Sequence, residues 1–309
     1  MTTRRTILFL GLTAAVGAVL LTVLSPPAFM ASWFARELPS PVAGDPVPPI
    51  VEEPNVRIAA AGDTGTGGVA EHATARRMVT ESRETPYDAL VLLGDLVYET
   101  GDSALVHSVV TEPFSPLIET GTELIPVLGD HDYGSGEQQE ILRELSRQTS
   151  WYADQVGPVR MLVLDSNRVD DPEQTRWLRD TLATPQPGGT WTVAAMHHPA
   201  YSAGYHGSDL AVRQAWGPLF AEYDVPLVLA GHDHDYQRSL PQDGVTYVVS
   251  GGGAKLRPTG AEAFTAVSAS SLHYLDLLFY NDRIVGRAID QQGHLLDEFT
   301  IERSVASDQ

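Results

Sequence analysis

The stretch GHDHDYQR, residues 231–238, sets two histidines and two carboxylates directly after the apolar run VPLVLA. Imidazole and carboxylate groups are costly to bury unless something binds them. The spacing therefore points to a solvated turn, an acid–base pair or a metal site. The pattern recurs: Asp63 follows IAAAG, Asp95 follows VLLG, Asp130 and His131 follow PVLG, and His197 and His198 follow VAAM, just as His232 and His234 follow VLAG. A single Gly-Asp after a strand is ordinarily a turn or a helix cap; the repetition is what argues for a shared site. In an open α/β sheet the carboxyl ends of the strands form the ligand crevice, so parallel strands would gather these groups. Carboxylates and imidazoles so gathered repel or desolvate badly without cations. Oxygen and nitrogen donors without sulfur suit iron, manganese or zinc. The glycines in AGD, LGD, LGD and AGH are expected to let the chain turn sharply and come close to the ions.

Positioning such groups takes alternating strands and helices, and the chain reads that way. VRIAAAG, YDALVLLGD, TELIPVLGD, PVRMLVLDS, TWTVAAMHH and VPLVLAGHDH read as strands. VAEHATARRMVTES, EQQEILRELSRQ, DPEQTRWLRDTLA and SDLAVRQAWGPLFAEY read as helices, the third capped by Asp170 or Asp171 with Pro172 in its first turn. Alternation of this kind implies an α/β domain with a largely buried sheet. After residue 243, GVTYVVSGGG, LHYLDLLFY, DRIVGRAID and HLLDEFTIE are strands joined by short turns, a meander expected to form a second sheet. The fold expectation is a four-layer αββα sandwich of two mixed sheets.

Composition narrows the function. A chain of 309 residues with 43% hydrophobic content builds a sizeable core. Its net charge of -20 repels nucleic acid and anionic lipid, so neither is expected as a partner. It also repels a phosphorylated substrate at long range, so an anion site needs local positive charge. Cysteine is absent, which excludes thiol catalysis, cysteine-based zinc sites and disulfides. Arg4 and Arg5 precede an uncharged run from Ile7 to Leu24. Residues 1–35 therefore read as a signal peptide or signal anchor, and TRRTIL is similar to a twin-arginine export signal. The protein is expected outside the cytoplasm, secreted or held at the cell surface, with any membrane contact through that segment only. Residues 36–54, rich in proline and acids, read as an extended tether, 55–303 as the catalytic domain and 304–309 as a tail.

The ordered series GDTG, GDLVY, GDHD, MHHP and GHDH resembles the calcineurin-like metallophosphoesterase superfamily, over about residues 56–255. Tyr98, three residues after Asp95, makes the likeness strongest to the purple acid phosphatase branch. The resemblance implies a binuclear phosphoesterase acting on small phosphomonoesters. Asp63, Asp95, Tyr98 and His234 would hold one metal; Asp95 would bridge to a second held by Asp130, His197 and His232. A phenol with a reference pKa near 10 needs a strong Lewis acid to ionise at acidic pH, so Fe3+ is expected, paired with Fe2+, Zn2+ or Mn2+. Such a pair activates water for in-line attack on phosphorus. His131 is the candidate acid for the leaving group, with Asp132 orienting its ring. His131, His198 and His206 are candidates for binding the phosphoryl oxygens. The family usually has asparagine where this chain has Asp130, which is either an extra anionic ligand or a protonated mimic of the amide.

Other readings remain open at this point. GDTGTGG and GGGAK are glycine-rich but match neither the dinucleotide fingerprint nor the P-loop. No G-x-S-x-G elbow is present. A phosphodiesterase or nucleotidase shares every motif, and a non-catalytic binding protein would keep only the fold. Arg238 lies near the last motif and either touches substrate or forms a structural ion pair.

Overall fold

The computed structural model describes residues 44–303. The expected signal segment, the first part of the proline-rich stretch and the tail lie outside the described residues. Among the described residues, no helix is long and apolar enough to cross a membrane.

Two sheets stack face to face. The first contains β1 (Val56–Ala61), β2 (Ala89–Leu93), β3 (Glu123–Val127), β11 (His273–Phe279), β12 (Arg283–Asp290) and β13 (Leu295–Glu302). Its order is β13-β12-β11-β1-β2-β3. The second contains β4 (Tyr152–Val156), β5 (Val159–Val163), β6 (Trp191–Ala195), β7 (Leu227–Ala230), β8 (Tyr236–Ser239), β9 (Thr246–Ser250) and β10 (Thr265–Ala269), in the order β10-β8-β9-β7-β6-β5-β4. The strands alternate which core they serve. Val56, Ile58 and Ala60 face Val159, Met161 and Val163 between the sheets. Ala59 and Ala61 point outward with Leu90 and Leu92, under Met78, Phe114 and Ile141 of helices α1 (Val69–Glu81), α2 (Glu112–Ile118) and α3 (Gln138–Glu144). Leu162, Ala194 and Val228 point the other way, under Leu178, Trp216 and Phe220 of α4 (Pro172–Ala183) and α5 (Leu210–Glu222). This is the αββα sandwich expected, with strands buried on both faces as near-continuous apolar runs. The cap of α4 is Asp171, whose side chain accepts from Glu173 N.

The meander does not form the second sheet. β11 pairs antiparallel with β1, so β11–β12–β13 completes the first sheet, whereas β9 joins the second beside β7. β11 is buried along its whole length. A strand buried on both faces has to lie inside a sheet with layers on either side. β4, β8 and β10 carry no strong apolar run and have no counterpart in the sequence reading. The proline-rich stretch is not free where it is described: Val47 N donates to Gly293 O at 2.9 Å, Leu295 N donates to Asp45 O at 2.9 Å, and Arg287 Nη1 donates to Pro48 O at 2.9 Å.

Candidate metal centre

β1, β2 and β3 run parallel, as do β6 and β7 of the other sheet. The crevice is therefore shared by the carboxyl ends of strands from two sheets rather than one. Hydrogen bonds join the two sets of loops. Gly62 N donates to Ser250 O at 2.7 Å across the sheets, while Asp63 N donates to Gly94 O at 3.0 Å within the first. His232 N donates to Asp63 Oδ2 at 2.9 Å, reaching from the second sheet to the first.

Asp63, Asp95 and His234 offer one ligand atom each within 4.8 Å of one another, all buried. Tyr98 closes this pocket. Its hydroxyl donates to Asp63 Oδ1 at 3.1 Å and lies 3.3 Å from His234 Nε2. Burial, with Asp63 and Asp95 adjacent, pushes the Tyr98 phenol far above its ordinary value, so a phenolate there needs a strongly charged cation. Burial alone would raise Asp63, but the hydrogen bond to His234 and the nearby imidazoles bring it below the usual carboxylate range. Asp95 moves up, through burial and the charges of Asp63 and Asp130, against the pull of His197.

The second group shares Asp95. Asp95, Asp130 and His197 form one three-donor set, and Asp130, His198 and His232 another. His197 Nε2 lies 3.1 Å from Asp130 Oδ1 and 3.4 Å from Asp95 Oδ1. Its Nδ1–H donates to Leu93 O at 2.8 Å, an orientation that leaves Nε2 for a cation. His232 Nδ1 stands 3.1 Å from Asp130 Oδ1 and 3.2 Å from His197 Nε2. Burial penalises the His197 imidazolium, but Asp95, Asp130 and Asp63 more than offset it, and its pKa is pushed up to about 10. Asp130 falls far below the ordinary carboxylate value: burial opposes ionisation, and hydrogen bonds with His197 and His232 outweigh it. That direction favours the anionic-ligand alternative over the amide mimic for Asp130. The seven predicted donors converge here, with His198 as an eighth beside them: carboxylate, phenol and imidazole on one side of Asp95, carboxylate and imidazole on the other. That oxygen–nitrogen chemistry fits a pair of hard or borderline cations.

The glycines meet the sequence expectation in part. Gly94 takes the left-handed backbone at φ 92°, and so do the donors themselves: Asp63 at φ 60°, Asp95 at 54° and His232 at 70°. Non-glycine residues there are strained and persist only where their surroundings over-determine them. The preceding glycine also gives room. A Cβ on Gly94 would lie 2.3 Å from His197 Nδ1, and one on Gly231 would lie 2.8 Å from Asp63 Oδ2.

His131 stands at the rim, its ring centroid 4.5 Å from that of Tyr98 and its backbone N–H donating to Asp95 Oδ1 at 3.1 Å. Asp132 does not orient it. The buried Asp132 carboxylate accepts from Leu96 N, Val97 N and Gly129 N at 3.1, 2.9 and 2.7 Å, tying the Asp95 loop to the Asp130 loop. Burial first, then Asp95, raises its pKa to about 7. His131 is oriented instead by Glu99 O, 2.6 Å from its Nδ1. His206 stacks on His232 with centroids 4.3 Å apart. Its loop is anchored by Asp233, which accepts from His206 N at 2.7 Å. His198 bonds Ser166 Oγ through Nδ1 at 2.8 Å, and burial with the neighbouring His197 and His232 lowers it to about 3. Arg238 pairs with Asp297 at 2.6 Å and is structural. Asp233 and Glu99 were not singled out in the sequence. Asp233 sits inside GHDH and was readable; Glu99 contributes a backbone carbonyl, which carries no sequence signal.

A family model described as calcineurin-like phosphoesterase matches residues 56–236. A segment of 86 residues is 35% identical to human tartrate-resistant acid phosphatase type 5, covering 28% of this chain and 26% of that protein. Another, of 162 residues, is 31% identical to a cAMP/cGMP dual specificity phosphodiesterase of Mycobacterium tuberculosis, covering 48% of each. The chain thus spans about half or less of the length of the curated relatives it matches. In fold, it is similar to a purple acid phosphatase from yellow lupin seeds, with a TM-score of 0.71 at 19% identity over 82% of this chain and 54% of that one.

Proposed function

The chain belongs to the calcineurin-like phosphoesterase family, and on that premise we propose that it hydrolyses phosphomonoesters in the manner of an acid phosphatase, with two metal ions, one of them ferric. The observation that carries this reading is Tyr98, whose phenol meets Asp63 at 3.1 Å and His234 at 3.3 Å. A tyrosine among such donors selects a strong Lewis acid. Asp63, Asp95, Tyr98 and His234 would hold the ferric ion, and Asp95, Asp130, His197 and His232 a divalent one. Bound cations supply Lewis acidity at phosphorus and lower the pKa of water enough to make it a nucleophile. They also supply the local attraction that a net charge of -20 denies an anionic substrate.

The chain's own groups complete the proposed reaction. His131 Nδ1 is committed to Glu99 O, so Nε2 is the atom that carries a proton to the leaving oxygen. His206, exposed and stacked on His232, binds phosphoryl oxygens on the opposite flank. Asp132 holds the Asp95 and Asp130 loops in register. A small phosphoester is the proposed partner, and the export segment makes the cell exterior or surface the proposed place of action.

The likeness to a cyclic-nucleotide phosphodiesterase over nearly half the chain supports phosphodiester hydrolysis as a second reading. Elemental analysis together with monoester and diester assays across pH separates the two. The expected result is two ions per chain including iron, a visible charge-transfer colour, and preference for the monoester, lost with chelator. Faster diester turnover overturns the substrate class; a colourless, iron-free, fully active enzyme overturns the ferric assignment.

A further inference from the structure

The motif GGGAK takes no part in the reaction derived above, yet it runs along the floor of the first pocket. A Cβ on Gly251 would lie 2.2 Å from Asp233 O and 2.7 Å from Asp63 Oδ2; one on Gly253 would lie 2.5 Å from Gly62 O. Only glycine threads that gap. Gly253 N donates to Gly62 O at 3.1 Å, and Thr74 Oγ1 donates to Gly253 O at 2.6 Å, fixing the segment. Four residues on, Arg257 N donates to His234 O at 3.0 Å. The residue delivered between these anchors is Lys255, the only lysine in the chain.

Lys255 Nζ lies 3.4 Å from the centroid of the Tyr98 ring and 3.0 Å from Glu99 Oε1. Glu99 O in turn accepts from His131 Nδ1. One ammonium therefore touches a candidate metal ligand on its ring face and grips the residue whose carbonyl aims the proposed acid. An exposed ion pair alone contributes little. Here the ammonium is also held on an aromatic face, and its backbone is locked on both sides. A cation stacked on the ring can pair with the carboxylate beside it, a geometry open to a guanidinium as well as an ammonium.

We propose that Lys255 is a positioning residue: it clamps the Tyr98–Glu99 segment, and through it sets the hydrogen bond that aims His131 and the electrostatic field at the Tyr98 ring. This rests on the phosphoesterase reading for its kinetic consequence but not for its geometry. The test compares Lys255→Met, which keeps length and removes charge, with Lys255→Arg. In metal-free protein carrying labelled histidine, the slowly exchanging Nδ1–H signal of His131 is expected in the wild type and the arginine variant, and lost with methionine. In metal-loaded protein, Lys255→Met is expected to lower kcat about tenfold, a modest misplacement of a reacting group, with KM within about twofold. Lys255→Arg is expected to restore most of it. The visible band, where iron is bound, is expected to move to longer wavelength with methionine, because a nearby positive charge no longer stabilises the phenolate. Glu99→Gln, which weakens the same clamp from the other side, is expected to act in the same direction. An unchanged His131 signal together with unchanged kcat in Lys255→Met overturns the proposal, as does failure of Arg to rescue. A wild type without turnover ends the phosphoesterase reading instead, and the histidine signal still decides the clamp.

Discussion

The two halves of the centre are built on opposite plans. Asp63, Asp95 and His234 are buried, and Tyr98 closes over them. Across Asp95, the Asp130 side chain is 44% exposed, and His197, His198, His232 and His206 form a run of ring contacts toward solvent, with centroids 4.3 to 5.1 Å apart. A closed, anionic pocket retains a hard, highly charged ion; an open, imidazole-rich one suits a borderline divalent ion that exchanges and meets substrate. The contrast is the physical basis for proposing one ferric and one divalent ion rather than two alike.

Three measurements break or sharpen the contrast. The largest effect is expected from Asp63→Ala, which opens the closed pocket. Iron is lost in elemental analysis and turnover falls by about a thousandfold or more, the scale of losing several kcal/mol of charge stabilisation. Retained iron would show that the first pocket does not need its buried carboxylate. Asp130→Asn is expected to be milder, since it keeps the shape and removes one charge at the open side. Affinity for the second ion, measured by titration, drops by about tenfold, as for other single changes around a metal, while the first ion stays bound. Equal loss of both ions would mean that the two halves are not separable.

The smallest effect concerns Glu71, which braces the loop carrying Asp63. Its Oε2 accepts from Thr66 N at 2.9 Å and Gly67 N at 2.6 Å, while its Oε1 is buried without a partner. Burial outweighs these bonds and raises its pKa to about 8. The folded form therefore holds a proton that the unfolded chain, with a carboxyl near 4.3, gives up earlier. The stabilisation is complete below about pH 4.3 and is lost as pH rises toward 8. In thermal melts, Glu71→Gln is expected to lose less stability than the wild type over that interval. Parallel pH slopes would show that Glu71 is ionised when folded.

Much of this was legible in the chain because it is local. An apolar run ending in Gly-Asp or Gly-His announces both a strand and what it delivers, so Asp63, Asp95, Asp130, His197, His232 and His234 stand out in the sequence alone. What was not legible depends on partners distant in sequence. The choice of β1 for β11 is made across more than two hundred residues, and nothing within HYLDLLF names its neighbour. Asp132 follows His131 directly, which suggests a pair, yet its carboxylate turns to the amides of residues 96, 97 and 129. GGGAK is glycine-rich without matching a P-loop, and only the fold shows its glycines passing against Asp63.

Asp63, Asp95 and His232 adopt a backbone shape that glycine would take without protest. Glycine there would relax the turn and erase the ligand in the same stroke. Selection for a sturdier fold and selection for a working centre thus collide at the same three codons. At Asp63 the trade is double-edged, since glycine would ease the backbone while stripping Tyr98 Oη and His232 N of their acceptor.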